Sequence, residues 1–273
     1  MPARTPEEMW RAAAAVDGAR PFVTAYDDHG RVELSYATFD NWVAKTANLI
    51  VDGLGAEPGE RVVLALPVHW QSLVWVLACW SAGVAVVPAG GTPQAAEGSG
   101  DLPEGEIVVA DAPRLAAALD SGAREVVGAS LHPLGAPLAD CPPTVLDYAV
   151  EVRGFADRFH SPVPVDPAAV ALDGPVRLTG AELAERADRR AADWRLTAAD
   201  RVAMIASAPN LPTAFGPDLS GFLALIAPAS SLVLTPGADS ANLQARLGME
   251  RVTAIAGPPP ESPSLSGSIR PLT

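Results

Sequence analysis

A chain of 273 residues, 49% of them apolar, is long enough for one large or two ordinary domains with a real core. Its 32 acidic residues against 19 basic ones give a net charge of −13, which argues against binding nucleic acid or an anionic membrane surface, since both need a surplus of lysine and arginine. Aromatic residues are only 5% of the chain, so the core must be mostly alanine, valine and leucine.

Lysine occurs once, as Lys45, so arginine supplies the other 18 of the 19 basic residues. With abundant Ala, Pro and Gly, this is the composition of a GC-rich bacterial genome. It also means that any mechanism needing a lysine must use Lys45. The two cysteines, Cys79 and Cys141, form no CxxC pair, which predicts a reduced, cytoplasmic protein. The first eight residues lack a signal-peptide core. The longest apolar stretch, 73–87, is shorter than the roughly 20 residues a membrane span requires, and Gly83 interrupts it.

Thr5-Pro6-Glu7-Glu8 opens a helix, with a capping Thr, Pro in the first turn and acids behind it. A strand over 21–26, a turn at 27–30 and a return over 31–36 make a β-hairpin. Phe39, Trp42, Val43, Ala47, Ile50 and Val51 then follow helical spacing to about residue 54. The stretch 61–88 organises the rest: an apolar strand to Pro67, a helix through 73–80, a turn at 81–83 and a second apolar strand stopped by Pro88. Valine and leucine runs without alternation suit a parallel sheet covered on both faces. A helix apolar nearly all round should be sandwiched, and Gly83 stands where its C-cap belongs.

A Gly/Pro/Glu-rich loop is expected over 89–105, followed by strand 106–111, helix 113–119 and strand 125–128. Residues 144–159 read as partly helical and 160–167 as an extended linker. The pattern then recurs, with 178–183 echoing 34–39, 200–205 echoing 60–65, and 231–236 standing for 83–88. A last strand is expected at 251–257. The fold expected is α/β, with two similar side-by-side lobes and mainly parallel sheets. The first lobe takes 1–160, including the N-terminal helix and the hairpin; the second takes 161–257; a disordered Pro/Ser tail takes 258–273.

The order of these elements resembles the adenylate-forming superfamily, the acyl-CoA synthetases and amino-acid adenylation domains, in their N-terminal domain. Leu34-Ser35-Tyr36-Ala37-Thr38-Phe39 is similar to that family's LTYAEL, Gly59-Glu60-Arg61-Val62 to its GDRV, and the 80–88 segment to its KAGAAYVP. Asp200-Arg201-Val202 and Glu250-Arg251-Val252-Thr253 fit more loosely. The resemblance runs in order over about 20–260. It implies ATP-dependent activation of a carboxylate, which needs a Ser/Thr/Gly-rich phosphate loop ending in Lys. That loop should fall near 168–172, yet the chain runs into Asp173-Gly174-Pro175-Val176-Arg177, with one glycine, no Ser and no Lys. The family's YGxTE segment, ribose-binding Asp and C-terminal-domain lysine find no match. A truncated, degenerate relative that no longer adenylates is therefore expected, with Lys45 a solvated helix lysine.

Other chemistry finds little support. The four histidines show no metal spacing, so no metal site, cofactor or catalytic residue is nominated. No GxSxG elbow exists, and 53–59 fails as a dinucleotide fingerprint because it precedes a strand. The arginines at 186, 189, 190 and 195 alternate with acids and read as a salt-bridged helix face. In open α/β sheets, ligands sit at the C-terminal ends of strands. His69, Trp70 and Gln71 occupy that edge in the first lobe, and Ser207 and Asn210 in the second. They are the ligand-binding candidates, the alternative for each being packing between lobes. The partner expected is a small acyl or nucleotide ligand in the inter-lobe cleft, or another protein, and not nucleic acid or a membrane.

Overall fold

A computed structural model describes residues 3–27, 30–90, 101–132, 135–206, 210–236, 240–256 and 269–272. The unalternating valine runs become parallel strands. One sheet holds β3 (Arg61–Ala65), β4 (Ala85–Pro88), β5 (Ile107–Asp111), β6 (Glu125–Ala129), β7 (Leu146–Asp147), β8 (Val170–Asp173) and β9 (Arg177–Thr179), in the order β7-β6-β5-β3-β4-β8-β9. The other holds β1 (Pro21–Asp27), β2 (Gly30–Ser35), β10 (Arg201–Ala206), β11 (Ser231–Pro236), β12 (Ala254–Ala256) and β13 (Arg270–Leu272), in the order β13-β12-β10-β11-β1-β2. Among the described residues every pairing is parallel except the hairpins β1–β2 and β8–β9.

Helices α1 (Pro6–Ala14), α2 (Tyr36–Asn48), α3 (Trp70–Ala82), α6 (Gly180–Asp193) and α8 (Ser220–Ile226) fill the space between the sheets. The shorter helices are α4 (Leu115–Leu119), α5 (Tyr148–Glu151), α7 (Leu211–Phe215) and α9 (Ser240–Met249). Val62, Leu64, Val86 and Val109 of one sheet share a core with Val202, Met204 and Leu232 of the other. The alternate residues Val63, Ala65 and Val108 face outward under Leu115 and Ala118 of α4, and Ala203, Val233 and Ile255 lie under Leu243 and Leu247 of α9. The result is helix, sheet, helix, sheet, helix in layers. All 13 residues of α3 are buried, as its apolar circumference predicts, and Gly83 ends it at φ 73°, a conformation that strains any residue with a side chain. Thr5 forms a capping box with Glu8, and Thr179 another with Glu182, so two predicted helix starts are held by reciprocal bonds. No helix among the described residues is long and apolar enough to cross a membrane.

Three expectations need correction. The hairpin β1–β2, assigned to the first lobe, pairs instead with the second: β1 runs parallel to β11, with Val23 opposite Leu232. In return, β8–β9 pairs with the first lobe, Val86 lying opposite Leu172. The hairpins are legible locally, but which sheet edge accepts them is decided by contacts about 200 residues apart in sequence, such as the Tyr36 hydroxyl donating to Ser230 O at 2.7 Å and the Ser231 hydroxyl to Pro21 O at 2.6 Å. Second, the last 16 residues hold a strand, because Arg270–Leu272 completes the edge beside β12; the rest of that tail, 258–268 and 273, lies outside the described residues. Most of the predicted 89–105 loop, 91–100, does so too. Third, Lys45 is not a free surface lysine. It is 23% exposed, donates to Phe155 O at 2.5 Å and pairs with Asp157 at 2.9 Å.

A charged network clamps the exchanged hairpin. Glu250, 7% exposed, accepts from Tyr26, from Arg31 at 2.7 Å and from Arg201 at 2.5 Å. Burial alone would raise its carboxyl, but the hydrogen bonds from Arg31, Tyr26 and Arg201 outweigh that and bring it down to about 2. A depressed folded-state value stabilises above the ordinary value of 4.5 and loses that stabilisation as pH falls toward about 2. Urea denaturation across that window should therefore show falling stability, and Glu250→Gln should flatten this part of the profile while costing about 1–3 kcal/mol at neutral pH. An unchanged profile in the variant would remove Glu250 from the clamp.

Candidate functional site

The C-terminal edges of the two sheets meet in matching geometry. After β3 the chain turns into α3, and His69 caps it with φ −146° and ψ 156°, its Nδ1 accepting from Gln71 N–H at 3.3 Å. After β10 the chain turns into α7, and Asn210 caps it with φ −145° and ψ 160°, its Oδ1 accepting from Thr213 N–H at 3.1 Å and from the Thr213 hydroxyl at 2.7 Å. Both caps reach across to the opposite sheet. His69 Nε2 lies 3.8 Å from Asp27 Oδ2, at the end of β1. Gly90, just past β4 at φ +100°, sits so close to Asn210 that a Cβ there would be 3.0 Å from Nδ2. His69 and Asn210 thus belong to one seam between the sheets.

The other candidates fare differently. Trp70 is 1% exposed and packs edge-on against Trp42 at 5.4 Å. Gln71 is 2% exposed and donates to His132 O at 3.3 Å. Both side chains are built into the core behind the seam, the packing role weighed as their alternative. Ser207 lies outside the described residues. One charged pair escaped the sequence reading. Asp111 and Arg114, 8% and 9% exposed, bond at 2.7 Å at the C-terminal end of β5. Burial raises the Asp111 carboxyl, and Arg114 only partly pulls it back. The available signal was an acid closing an apolar strand with an arginine three residues on. Among the described residues there is no cluster of three or more His, Cys, Asp or Glu that could hold a metal ion.

The stretch expected to carry the phosphate loop is a hairpin with its amides engaged. Ala168 N–H donates to Asp166 Oδ1 at 2.9 Å and Ala169 N–H to Asp166 O at 3.0 Å. Gly174 N–H donates to Val176 O at 3.2 Å, and Pro175 has no N–H to offer. Thr179 N–H donates to Glu182 Oε2 at 2.8 Å, Gly180 N–H to Ala169 O at 3.0 Å and Ala181 N–H to Pro167 O at 2.9 Å. Asp173 closes the hairpin by pairing with Arg177 at 3.0 Å. The cleft beside this turn, about 480 Å³, is lined by the carboxylates of Asp173 and Glu104. The one guanidinium in its wall, Arg61, already pairs with Glu106 at 3.4 Å.

Residues 10–109 match the AMP-binding enzyme family. The chain is also 37% identical over 247 residues to a TIGR03089 family protein of Mycobacterium tuberculosis, covering 88% of this chain and 92% of that one. This protein belongs to the AMP-binding enzyme family. Its fold is similar to an acyl-CoA synthetase of Brucella canis, with a TM-score of 0.72 at 18% identity, covering 94% of this chain and 47% of that one. It is likewise similar to ATP-bound MatB of Rhodopseudomonas palustris, with a TM-score of 0.67 at 18% identity, covering 93% and 49%. This AMP-binding family member therefore spans about half the length of those two solved structures and has the fold of their N-terminal part.

The seam makes its own prediction. Gly90→Ala adds a Cβ 3.0 Å from Asn210 at a positive φ, so it should destabilise the protein by about 1–3 kcal/mol, read as a lowered denaturation midpoint. An unchanged midpoint would mean that Gly90 and Asn210 are not pressed together.

Proposed function

We propose that this AMP-binding family member acts by binding, as a ligand-binding, scaffolding or regulatory protein, and does not adenylate. The observation that carries this reading is the state of the backbone over 168–181. A triphosphate is gripped by main-chain N–H groups that are free to point at it, with a cation beside them. Here the amides of Ala168, Ala169, Gly174, Thr179, Gly180 and Ala181 each have a protein acceptor. The neighbouring side chains add carboxylates, where a phosphate needs positive charge. Lys45, the one lysine of the sequence, is held on α2 by Phe155 and Asp157. Two free thiols, Cys79 and Cys141, fit a reduced, cytoplasmic setting.

A second reading rests on the seam. His69 and Asn210 cap helices at strand ends that face each other, which is where α/β sheets hold ligands. A nucleotide or acyl-adenylate bound there without turnover is the alternative occupant of the same family fold.

ATP–pyrophosphate exchange with mixed carboxylates is expected to stay at the protein-free blank; robust exchange would overturn the proposal. Thermal-shift measurements with ATP, AMP, CoA and acyl-AMP analogues separate the two readings. A ligand held at about 100 times its Kd stabilises the folded state by about 2.7 kcal/mol. A shift with an acyl-AMP analogue that disappears in His69→Ala and Asn210→Ala supports ligand binding at the seam. Unmoved melting with all four supports a protein partner.

A further inference from the structure

A second pocket lies at the far end of the helical layer. It is about 240 Å³, and α1, α2, the last turn of α3 and the strap 157–160 form its walls. Ser81 stands in its wall, while His69 caps the opposite end of α3, roughly 18 Å away at 1.5 Å per residue. The pocket is thus separate from the seam. Its floor is apolar, made by Trp10, Val43, Ala44, Ala47 and Phe159. The strap is fixed over α2 by Lys45, bonded to Phe155 O and Asp157, and by Asn48, whose amide donates to Ala156 O and Arg158 O at 3.0 Å each.

The charges in the wall do not balance evenly. Glu7 is paired with Arg11, and Asp157 with Lys45, while Arg158 and His160, also in the wall, are exposed on the strap and form no ion pair with Asp40. Asp40 is different, because its bonded partner is the neutral indole N–H of Trp10, at 2.7 Å. Burial raises the Asp40 carboxyl; the Trp10 bond and the charge of Arg11, a guanidinium engaged by Glu7, only partly offset this. A carboxylate beside an apolar floor, with a spare oxygen and no ion-pair partner of its own, is the complement of an ammonium group on a hydrocarbon body. We propose that this pocket binds a small primary amine, with its ammonium on Asp40 and its apolar part against Trp10, Val43 and Ala47.

Titration calorimetry on the whole chain with isopentylamine, isopentanol and isovalerate tests this, because the three share a body and differ in the head group. The amine should bind saturably and about tenfold more tightly than the alcohol, which is what a charge-assisted hydrogen bond is worth. Asp40→Asn keeps an acceptor for Trp10 and removes the charge, so it should bring the amine down to the level of the alcohol. Ala44→Leu leaves Asp40 in place and fills the floor, so it should abolish binding of both. Circular dichroism establishes that each variant is folded. Equal binding of amine and alcohol, tighter binding of isovalerate, no binding of the amine, or full binding by folded Asp40→Asn would each overturn the proposal.

Discussion

Parallel pairing between strands from opposite halves of the chain is the constraint on which this fold depends. β1 needs β11 for its hydrogen bonds, and β8 needs β4. Each hairpin therefore leaves its own lobe to complete the other's sheet. Neither half can satisfy its edge backbone groups alone, and an unpaired buried amide or carbonyl is costly. The exchange holds the sheets face to face, and α3 and α8, buried on every side, lie in the space between. That is why α3 can bury all of its residues, including three tryptophans, Trp70, Trp75 and Trp80. Trp80 also ties the layers together, its indole donating to Ala171 O on β8 at 2.9 Å.

The same exchange constrains the backbone where the resemblance places the phosphate loop. Because β8 and β9 must supply strands to the first sheet, the backbone between 170 and 179 is committed to ladder bonds and a tight turn. Capping α6 engages the amides that follow, through Thr179 and Glu182. A phosphate-gripping loop needs several consecutive amides turned outward, and here those of Ala168, Ala169, Gly174, Thr179, Gly180 and Ala181 already have protein acceptors. Strands and helix caps of the family fold thus persist here around a tight hairpin turn where the resemblance places a phosphate loop.

Much of the architecture was legible because it rests on local rules. The Thr5 and Thr179 capping residues, Gly83 at the end of α3 and the valine runs of β3 and β4 each announce their element through propensity or hydrogen bonding within a few residues. What escaped depends on distant partners. No local pattern says that β1 pairs with β11, or that Arg270–Leu272 closes a sheet edge. Of the site, the strand-end rule located His69 and Asn210 at the caps. It could not tell that Trp70 and Gln71 turn inward, because a residue one or two positions past a cap points along the next turn of helix. Lys45 and Asp40 were both opaque for the same reason: their partners, Phe155 and Trp10, are 110 and 30 residues away.

The proposal is of an AMP-binding family member that keeps the scaffold without a triphosphate grip. Amide hydrogen exchange over residues 168–181, with and without saturating ATP and magnesium, tests it most directly, since it reads the very groups at issue. Exchange rates there should be the same in both conditions. Protection of Gly174, Thr179 and Gly180 that appears only with ATP would contradict it.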